Sequence, residues 1–120
     1  MTYPRTFYTT RCLDAWQAGR CLGPIIIIRP KYKDDVGLYK HELEHIKQGF
    51  RTLGLHAILY NISDRYAMWA EAKAYAEQMK WPDRFGNKMT IEDAANRLAS
   101  REYGFGLTIE EAKWKLMQMM

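Results

Sequence analysis

The residues best suited to chemistry are His41-Glu42-Leu43-Glu44-His45, an H-E-x-x-H pentapeptide. On a helix this spacing puts two imidazoles one turn apart on the same side, where both can bind one metal ion. The adjacent glutamate, Glu42, can then act on a water activated by that metal. Two of the three histidines in the chain belong to this pattern. It therefore predicts a zinc site at His41 and His45.

The segment around the pentapeptide has the pattern of an amphipathic helix. At about 100° per residue, one narrow stripe collects the large apolar side chains. These side chains are Val36, Tyr39, Leu43, Ile46 and Phe50. The stripe predicts a helix packed on a core through this face, with His41 and His45 on the opposite face. Asp34-Asp35 can cap its start, and Gly49 or Gly54 can end it.

A zinc ion held by two histidines needs a third ligand, and Glu71 is the leading candidate. It lies on a predicted helix from Arg65 to about Lys80, within an apolar face. The members of that face are Ala67, Met68, Ala72, Tyr75 and Met79. A buried carboxylate is costly unless a cation or a hydrogen-bond donor meets it, and a zinc ion would meet it. Two histidines, one glutamate and a water form the shell of one class of zinc hydrolase.

Other interpretations of these residues stay open. Glu71 could instead pair with Arg51 or another cation. His56 could be the third ligand, whereas Asp64 is better placed to cap the second helix. The longer motif H-E-x-x-H-x-x-G-x-x-H is excluded, because Gln48 and Arg51 occupy its glycine and last histidine positions.

The stretch 41–48, followed about two dozen residues later by Glu71-Ala72-Lys73-Ala74-Tyr75, resembles the zincin metallopeptidases of the Glu-ligand (gluzincin) type. It is particularly similar to short, minimal zincin-like proteins of bacteriophages and bacteria. The similarity covers Ile25 to Gln78 and lacks the additional domain of the large gluzincins. It implies three zinc ligands and one catalytic base, namely His41, His45 and Glu71 for the metal and Glu42 for the base.

The expected chemistry is hydrolysis of a peptide bond. Zinc lowers the pKa of its water toward about 7 and polarises the scissile carbonyl, while Glu42 passes a proton to the leaving amine. Tyr75, one turn from the third ligand, is the candidate donor to the oxyanion, although a core tyrosine fits its position equally well. Gln48 or Asp64 could hydrogen-bond the imidazoles, and Glu44 is expected to face solvent.

The leading prediction is therefore a zinc-dependent peptidase acting on protein or on cell-wall peptide. The alternative is a non-catalytic zinc-containing protein that binds nucleic acid or a protein partner. A structural zinc site would be closed by four protein ligands, with His56 or Asp64 in the last place. A catalytic site keeps an open position beside Glu42.

The elements that position these residues predict an α+β fold, mainly helical, with a small sheet. Strands are expected at 6–12 and Ile25–Arg29, while Asp14–Gly23 is ambiguous between a helical turn and other structure. The strand at Ile25–Arg29 could offer an edge to an extended peptide or be an ordinary core strand. We expect a minimal zincin-like domain in which the HExxH helix packs against the Glu-bearing helix.

The rest of the chain is expected to complete this domain. Residues 51–61 are expected to form a connection that could be partly helical and whose apolar side chains point inward. Two C-terminal helices, about Ile91 to Glu102 and Ile109 to Met119, open with the capping-box-like sequences Thr90-Ile91-Glu92-Asp93 and Thr108-Ile109-Glu110-Glu111. A chain of 120 residues is expected to make a single domain, 1–120.

Bulk properties restrict the class of protein. Hydrophobic residues make up 48% and charged residues 27%, as in ordinary globular proteins. A net charge of +4 permits an anionic partner such as nucleic acid or cell wall without requiring one. The aliphatic run Ile25–Ile28 is too short to span a membrane, and Met1–Arg5 lacks the apolar core of a signal peptide. Cys12 and Cys21 are expected to be reduced, so the predicted compartment is the cytoplasm.

Overall fold

The computed structural model describes residues 5–120. Within that range the chain forms a small sheet, a short 3-10 helix at Pro30–Tyr32 and a set of α-helices. The strands are β1 (Arg5–Tyr8), β2 (Gly19–Leu22) and β3 (Ile25–Ile28), and the helices are α1 (Val36–Arg51), α2 (His56–Ile62), α3 (Asp64–Gln78), α4 (Ile91–Leu98) and α5 (Ile109–Met119). The predicted class, α+β and mainly helical, is confirmed.

The sheet has the order β1-β3-β2, so the isoleucine strand lies in the middle. β1 pairs with β3 in parallel and β2 pairs with it antiparallel. A two-residue turn, Gly23-Pro24, joins β2 to β3, and Gly23 has a φ of +56°, which a residue with a side chain rarely adopts. β2 lies in the segment that the sequence left ambiguous, after a single turn in which the Gln17 N–H donates to the Asp14 carbonyl at 3.0 Å.

The suggestion that the isoleucine strand offers a free edge is wrong, because β3 has a neighbour on both sides. The edge strand beside α1 is β2. The Arg29 N–H donates to the Ala18 carbonyl at 2.8 Å. This bond shows which residues of β2 bond to β3, because hydrogen-bonded and non-hydrogen-bonded pairs alternate along an antiparallel pair of strands. Residues 18, 20 and 22 therefore bond to β3, and the N–H and C=O groups of Gly19 and Cys21 point away from the sheet.

Helix α1 forms as predicted, but it is buried on two faces instead of one. Asp35 caps it by accepting a hydrogen bond from the Leu38 N–H at 2.9 Å. Part of the predicted stripe packs on the sheet, where Ile46 contacts the buried side chains of β3. The face that carries His41 and His45 is also buried, because α3 packs on it through a face made mostly of alanine.

The connection after α1 is partly helical, as the sequence allowed, but its apolar side chains lie outside. Residues 56–62 form α2, a helix with no buried residue. Its outward side is apolar, with Ile58 57% and Ile62 75% exposed, and the preceding Leu53 is 91% exposed. Its inward side carries His56 and Tyr60, whose polar groups bond to neighbouring elements. The expectation that these apolar residues point inward is therefore wrong.

The second half of the chain builds the larger apolar core. Ser63 caps α3 and Thr90 caps α4, while the predicted capping box of Thr108 and Glu111 is present at the start of α5. Buried side chains of these helices pack together in one cluster: Ala72, Tyr75, Ala94, Ala95, Leu98, Ala112 and Leu116. In residues 5–120, none of the helices combines the length and apolarity needed to cross a membrane.

Candidate metal centre

The three predicted ligands converge between α1 and α3. The Nε2 atom of His41 lies 3.1 Å from Glu71 Oε1, and the Nε2 atom of His45 lies 3.2 Å from the same oxygen. One potential ligand atom from each residue falls within 4.8 Å of the others. All three residues are buried, with 5–6% of their surface exposed. The sequence therefore predicted a group that the fold brings together, and this group could hold a metal ion.

The elements explain the convergence. His41 and His45 are one turn apart on α1, and their ring centroids are 5.0 Å apart. Glu71 lies in the middle of α3, opposite both rings. Gly37 helps to bring the helices close, since a Cβ atom there would lie 3.1 Å from the Gln78 carbonyl oxygen. Gly37 and the alanines of α3 thus bring the helices close enough for the Glu71 carboxylate to reach both imidazoles.

A hydrogen bond from His45 to Gln48 sets the orientation of the His45 ring. The Gln48 amide nitrogen donates to the Ala70 carbonyl at 3.1 Å, which leaves its oxygen 3.0 Å from His45 Nδ1. An amide oxygen only accepts, so Nδ1 carries the proton. In a neutral ring, Nε2 then presents a lone pair to Glu71 Oε1. Two acceptors at 3.2 Å need a proton or a cation between them, which is the arrangement expected at a metal site.

The charges of the site reinforce this arrangement. Burial alone would lower the pKa of His45, but the charge of Glu71 and its hydrogen bond raise it to about 9. Burial alone would raise the pKa of Glu71, but the two histidines hold it well below its usual value. Without a metal, the pair is therefore an imidazolium and a carboxylate. A divalent cation would replace the proton.

The donor set suits a transition metal. Two imidazole nitrogens and one carboxylate oxygen are zinc ligands in catalytic sites. His41 differs from His45 because its Nδ1 atom is buried without a hydrogen-bond partner among the described residues. Its ring is held instead by an edge contact with Tyr75, with centroids 4.4 Å apart. The residues present therefore fit a divalent metal ion, with one imidazole fixed by a hydrogen bond and the other by packing.

Glu42 lies next to the ligands and faces a cavity of about 890 Å³. Its carboxylate receives no hydrogen bond from the described part of the chain, and burial raises its pKa. A Cβ atom at Gly19 would lie 3.5 Å from Glu42 Oε2 and 3.2 Å from the Ile27 oxygen, so a side chain there would crowd the Ile27 carbonyl. Glu42 is therefore a buried carboxylate, free to exchange a proton, beneath the edge strand.

Three tyrosines surround the third ligand, and the sequence indicated only one of them. The hydroxyl of Tyr60, on α2, donates to Glu71 Oε2 at 2.6 Å. The hydroxyl of Tyr103, in the loop after α4, donates to Glu71 Oε1 at 3.3 Å. Tyr75 connects to Glu71 through Tyr103, because its hydroxyl lies 2.7 Å from that of Tyr103. Tyr60 and Tyr103 carry no local sequence signal, because the tertiary fold alone brings them to Glu71.

The competing interpretations can be placed in the structure. His56 is not in the ligand group, and its Nδ1 atom pairs with the Tyr66 hydroxyl at 2.7 Å. Asp64 is also outside that group, and the expectation that it caps α3 is wrong, because Ser63 is the cap and Asp64 is the first helical residue. Arg51 pairs with Glu44 at 2.6 Å, not with Glu71. Glu44 is itself buried, so the expectation that it faces solvent is wrong.

Comparison of the chain with protein-family models, with curated proteins and with solved structures gives no significant match.

Proposed function

We propose that this protein is a zinc-dependent peptidase of the gluzincin type. The observation that carries the proposal is the convergence of His41, His45 and Glu71 beside Glu42, a carboxylate that no described group hydrogen-bonds. Peptide hydrolysis at a zinc site needs three ligands, a base beside the metal and an open cavity. The four residues supply the ligands and the base, and they line a cavity of about 890 Å³.

The proposed mechanism assigns a role to each residue. A bound zinc ion would acidify a water molecule and polarise the scissile carbonyl. Glu42 would accept a proton from the attacking water and deliver it to the leaving amine, and its raised pKa makes it a stronger base for the first of these transfers. Tyr75 and Tyr103 form a hydroxyl chain at the cavity that ends on Glu71 Oε1, and a developing oxyanion would compete with that oxygen for the proton of Tyr103 or with Tyr103 for the proton of Tyr75. Tyr75 remains a candidate for this role together with Tyr103.

The edge strand supports a peptide or protein substrate. Gly19 and Cys21 direct backbone N–H and C=O groups away from β3, and both residues line the cavity that contains Glu42. An extended peptide can add to such an edge as a further strand. This would lay a scissile bond across the metal site, in a protein or in the peptide of a cell wall. The two free cysteines support the cytoplasm as the proposed compartment.

The experiment is Glu42→Gln, assayed on a protein substrate and by elemental analysis. The variant should retain about one zinc per chain and lose at least ~100-fold in hydrolysis, because the base is removed without a ligand. Glu77→Gln on α3 is a matched control, since Glu77 pairs with Lys80 at the surface and should leave both quantities unchanged. A fully active Glu42→Gln protein would remove Glu42 from the mechanism.

One surface favours a second candidate function, binding of single-stranded nucleic acid. The Arg84 guanidinium lies over the rings of Tyr32 and Phe85, 4.7 and 4.6 Å from their centroids, and Lys40 lies 4.5 Å from that of Trp81. Phe85 is 73% exposed, and neither Arg84 nor Lys40 forms an ion pair within residues 5–120. Exposed rings between unpaired cations suit stacked bases and phosphates.

A labelled single-stranded oligonucleotide tests this second candidate. Fluorescence anisotropy should show binding that weakens as salt is raised, and Phe85→Ala should weaken it further. Trp114→Ala is the control, because Trp114 is also exposed but lies on α5. Equal losses in both variants, or no binding at low salt, would rule out this surface.

A further inference from the structure

We propose that Tyr60 makes Glu71 a one-oxygen ligand and thereby keeps the fourth coordination position open. The inference rests on the proposed metal site and deepens it. It concerns the choice between a closed structural centre and an open catalytic one, which the ligand set alone does not decide.

The two oxygens of Glu71 have different partners. Oε1 faces both imidazoles, at 3.1 Å from His41 Nε2 and 3.2 Å from His45 Nε2. Oε2 accepts the Tyr60 hydroxyl at 2.6 Å. A phenol that donates to a carboxylate at this distance makes a short, charge-assisted hydrogen bond. Binding of a metal through both oxygens would place Oε2 in the first shell and compete with this bond.

The position of Tyr60 suits this role. It projects from the inward side of α2, a helix whose apolar residues point outward and which has no buried residue. The second polar contact of this inward side is the pair of His56 with Tyr66 at 2.7 Å. His56 lies outside the ligand group, with its ring centroid 5.6 Å from that of His45. The two bonds, from Tyr60 to Glu71 and between His56 and Tyr66, together hold α2 over the site.

Cobalt(II) is the probe, because its visible absorption reports coordination number and is stronger for four than for five ligands. The wild-type protein titrated with Co²⁺ should show a one-to-one, intensely absorbing complex: three protein ligands and a water. In Tyr60→Phe, Oε2 is released and can bind the metal, so the visible absorption should fall while the stoichiometry stays the same. Tyr66→Phe is the matched control, since it also removes a phenol hydroxyl that bonds α2 to α3 but leaves Glu71 untouched.

Each outcome bears on a different claim. Identical spectra for wild type and Tyr60→Phe, or an equal change in Tyr66→Phe, would overturn the role of Tyr60 and leave the metal site standing. Failure of the wild type to bind Co²⁺ would overturn the metal site and this inference with it. If Tyr60→Phe does not fold, the infrared carboxylate bands of the wild type give a second test. A wide separation of the asymmetric and symmetric stretches on metal loading is expected, and a narrow one would overturn the proposal.

Discussion

Helix α3 separates two interiors of opposite character. One of its faces brings Glu71 to His41 and His45, in a buried group made of ionisable side chains. Another face packs Ala72 against α4 and α5, where Leu98 and Leu116 have no exposed surface. The apolar interior is stable through area removed from water. The polar interior is stable only when each buried group finds a partner.

The comparison shows where chemistry can be built in a small domain. The apolar side tolerates loss of one contact at a cost set by the volume removed. On the polar side, one missing partner leaves a charge buried without compensation. Glu71 has four partners across its two oxygens, two imidazoles and two phenols. That degree of satisfaction lets a carboxylate stay ionised at 5% exposure.

Removal of the shared carboxylate should give the largest effect on the polar side. Glu71→Ala should weaken zinc binding by more than about 100-fold, because loss of a ligand exceeds the ~10–100-fold loss expected for an outer partner. The measurement is competitive titration against a zinc chelator. Glu77→Ala, on the same helix and at the surface, should leave the affinity unchanged. Unchanged affinity in Glu71→Ala would mean that the polar interior is not a metal site.

The matching change on the apolar side is Leu98→Ala. It should lower the free energy of unfolding by ~2–5 kcal/mol, as for other fully buried leucines, and leave the zinc stoichiometry at one. Urea denaturation measures the first quantity and elemental analysis the second. Leu53→Ala is the control, since Leu53 is 91% exposed and should change stability by about 0.5 kcal/mol or less. Loss of zinc in Leu98→Ala would show that the two interiors are coupled.

The two interiors should also respond differently to pH. In the metal-free protein, burial works to lower the pKa of His45, but Glu71 raises it from 6.5 to about 9. A histidine whose pKa is raised on folding stabilises the folded state fully below pH 6.5 and loses this contribution as the pH rises through about 9. The free energy of unfolding of the metal-free protein should therefore fall over this window.

The controls separate the polar side from the apolar side. Leu98→Ala should keep the same slope at lower overall stability, whereas Glu71→Gln should flatten it. Zinc-loaded protein should show the reverse trend near pH 6, because protons compete with the metal for the histidines. A metal-free protein that gains stability between pH 6.5 and 9 would contradict the imidazolium–carboxylate pair.

The sequence predicted the parts of this molecule that depend on local spacing. The H-E-x-x-H turn, the carboxylate at Glu71 and the capping box at Thr108 each follow from residues a few positions apart. Only one of the two buried faces of α1 was predicted, because a helical wheel identifies a buried face by its apolar residues. It therefore assigned the face with His41 and His45 to the outside. That face is buried because a second helix supplies matching polar groups, which no periodicity in α1 reports.

Features that depend on distant partners were missed for the same reason. Tyr60 and Tyr103 reach Glu71 from α2 and from the loop after α4. The strand β2 lies in a stretch without alternation, and its neighbour β3 makes it a strand. The apolar side of α2 is exposed, whereas apolar side chains usually lie inside, so hydrophobicity alone predicted the wrong orientation for this helix. These errors share one physical cause: the partner that decides the conformation lies far away in the chain.

The reactivity of Cys21 tests whether β2 lies over the polar interior. Burial, followed by the charges of Glu42 and Glu71, raises the pKa of its thiol to about 12. Iodoacetamide at pH 8 should therefore modify Cys12, which is exposed, at least ~100-fold faster than Cys21, since the thiolate is the reacting form. Mass spectrometry of Cys12→Ser and Cys21→Ser assigns each site.

Zinc should speed the reaction of Cys21, because it offsets the negative charge beneath β2, whereas Leu98→Ala should leave the rate unchanged. Equal rates at the two cysteines would mean that β2 does not cover Glu42, and the proposed peptide-binding edge would lose its structural basis.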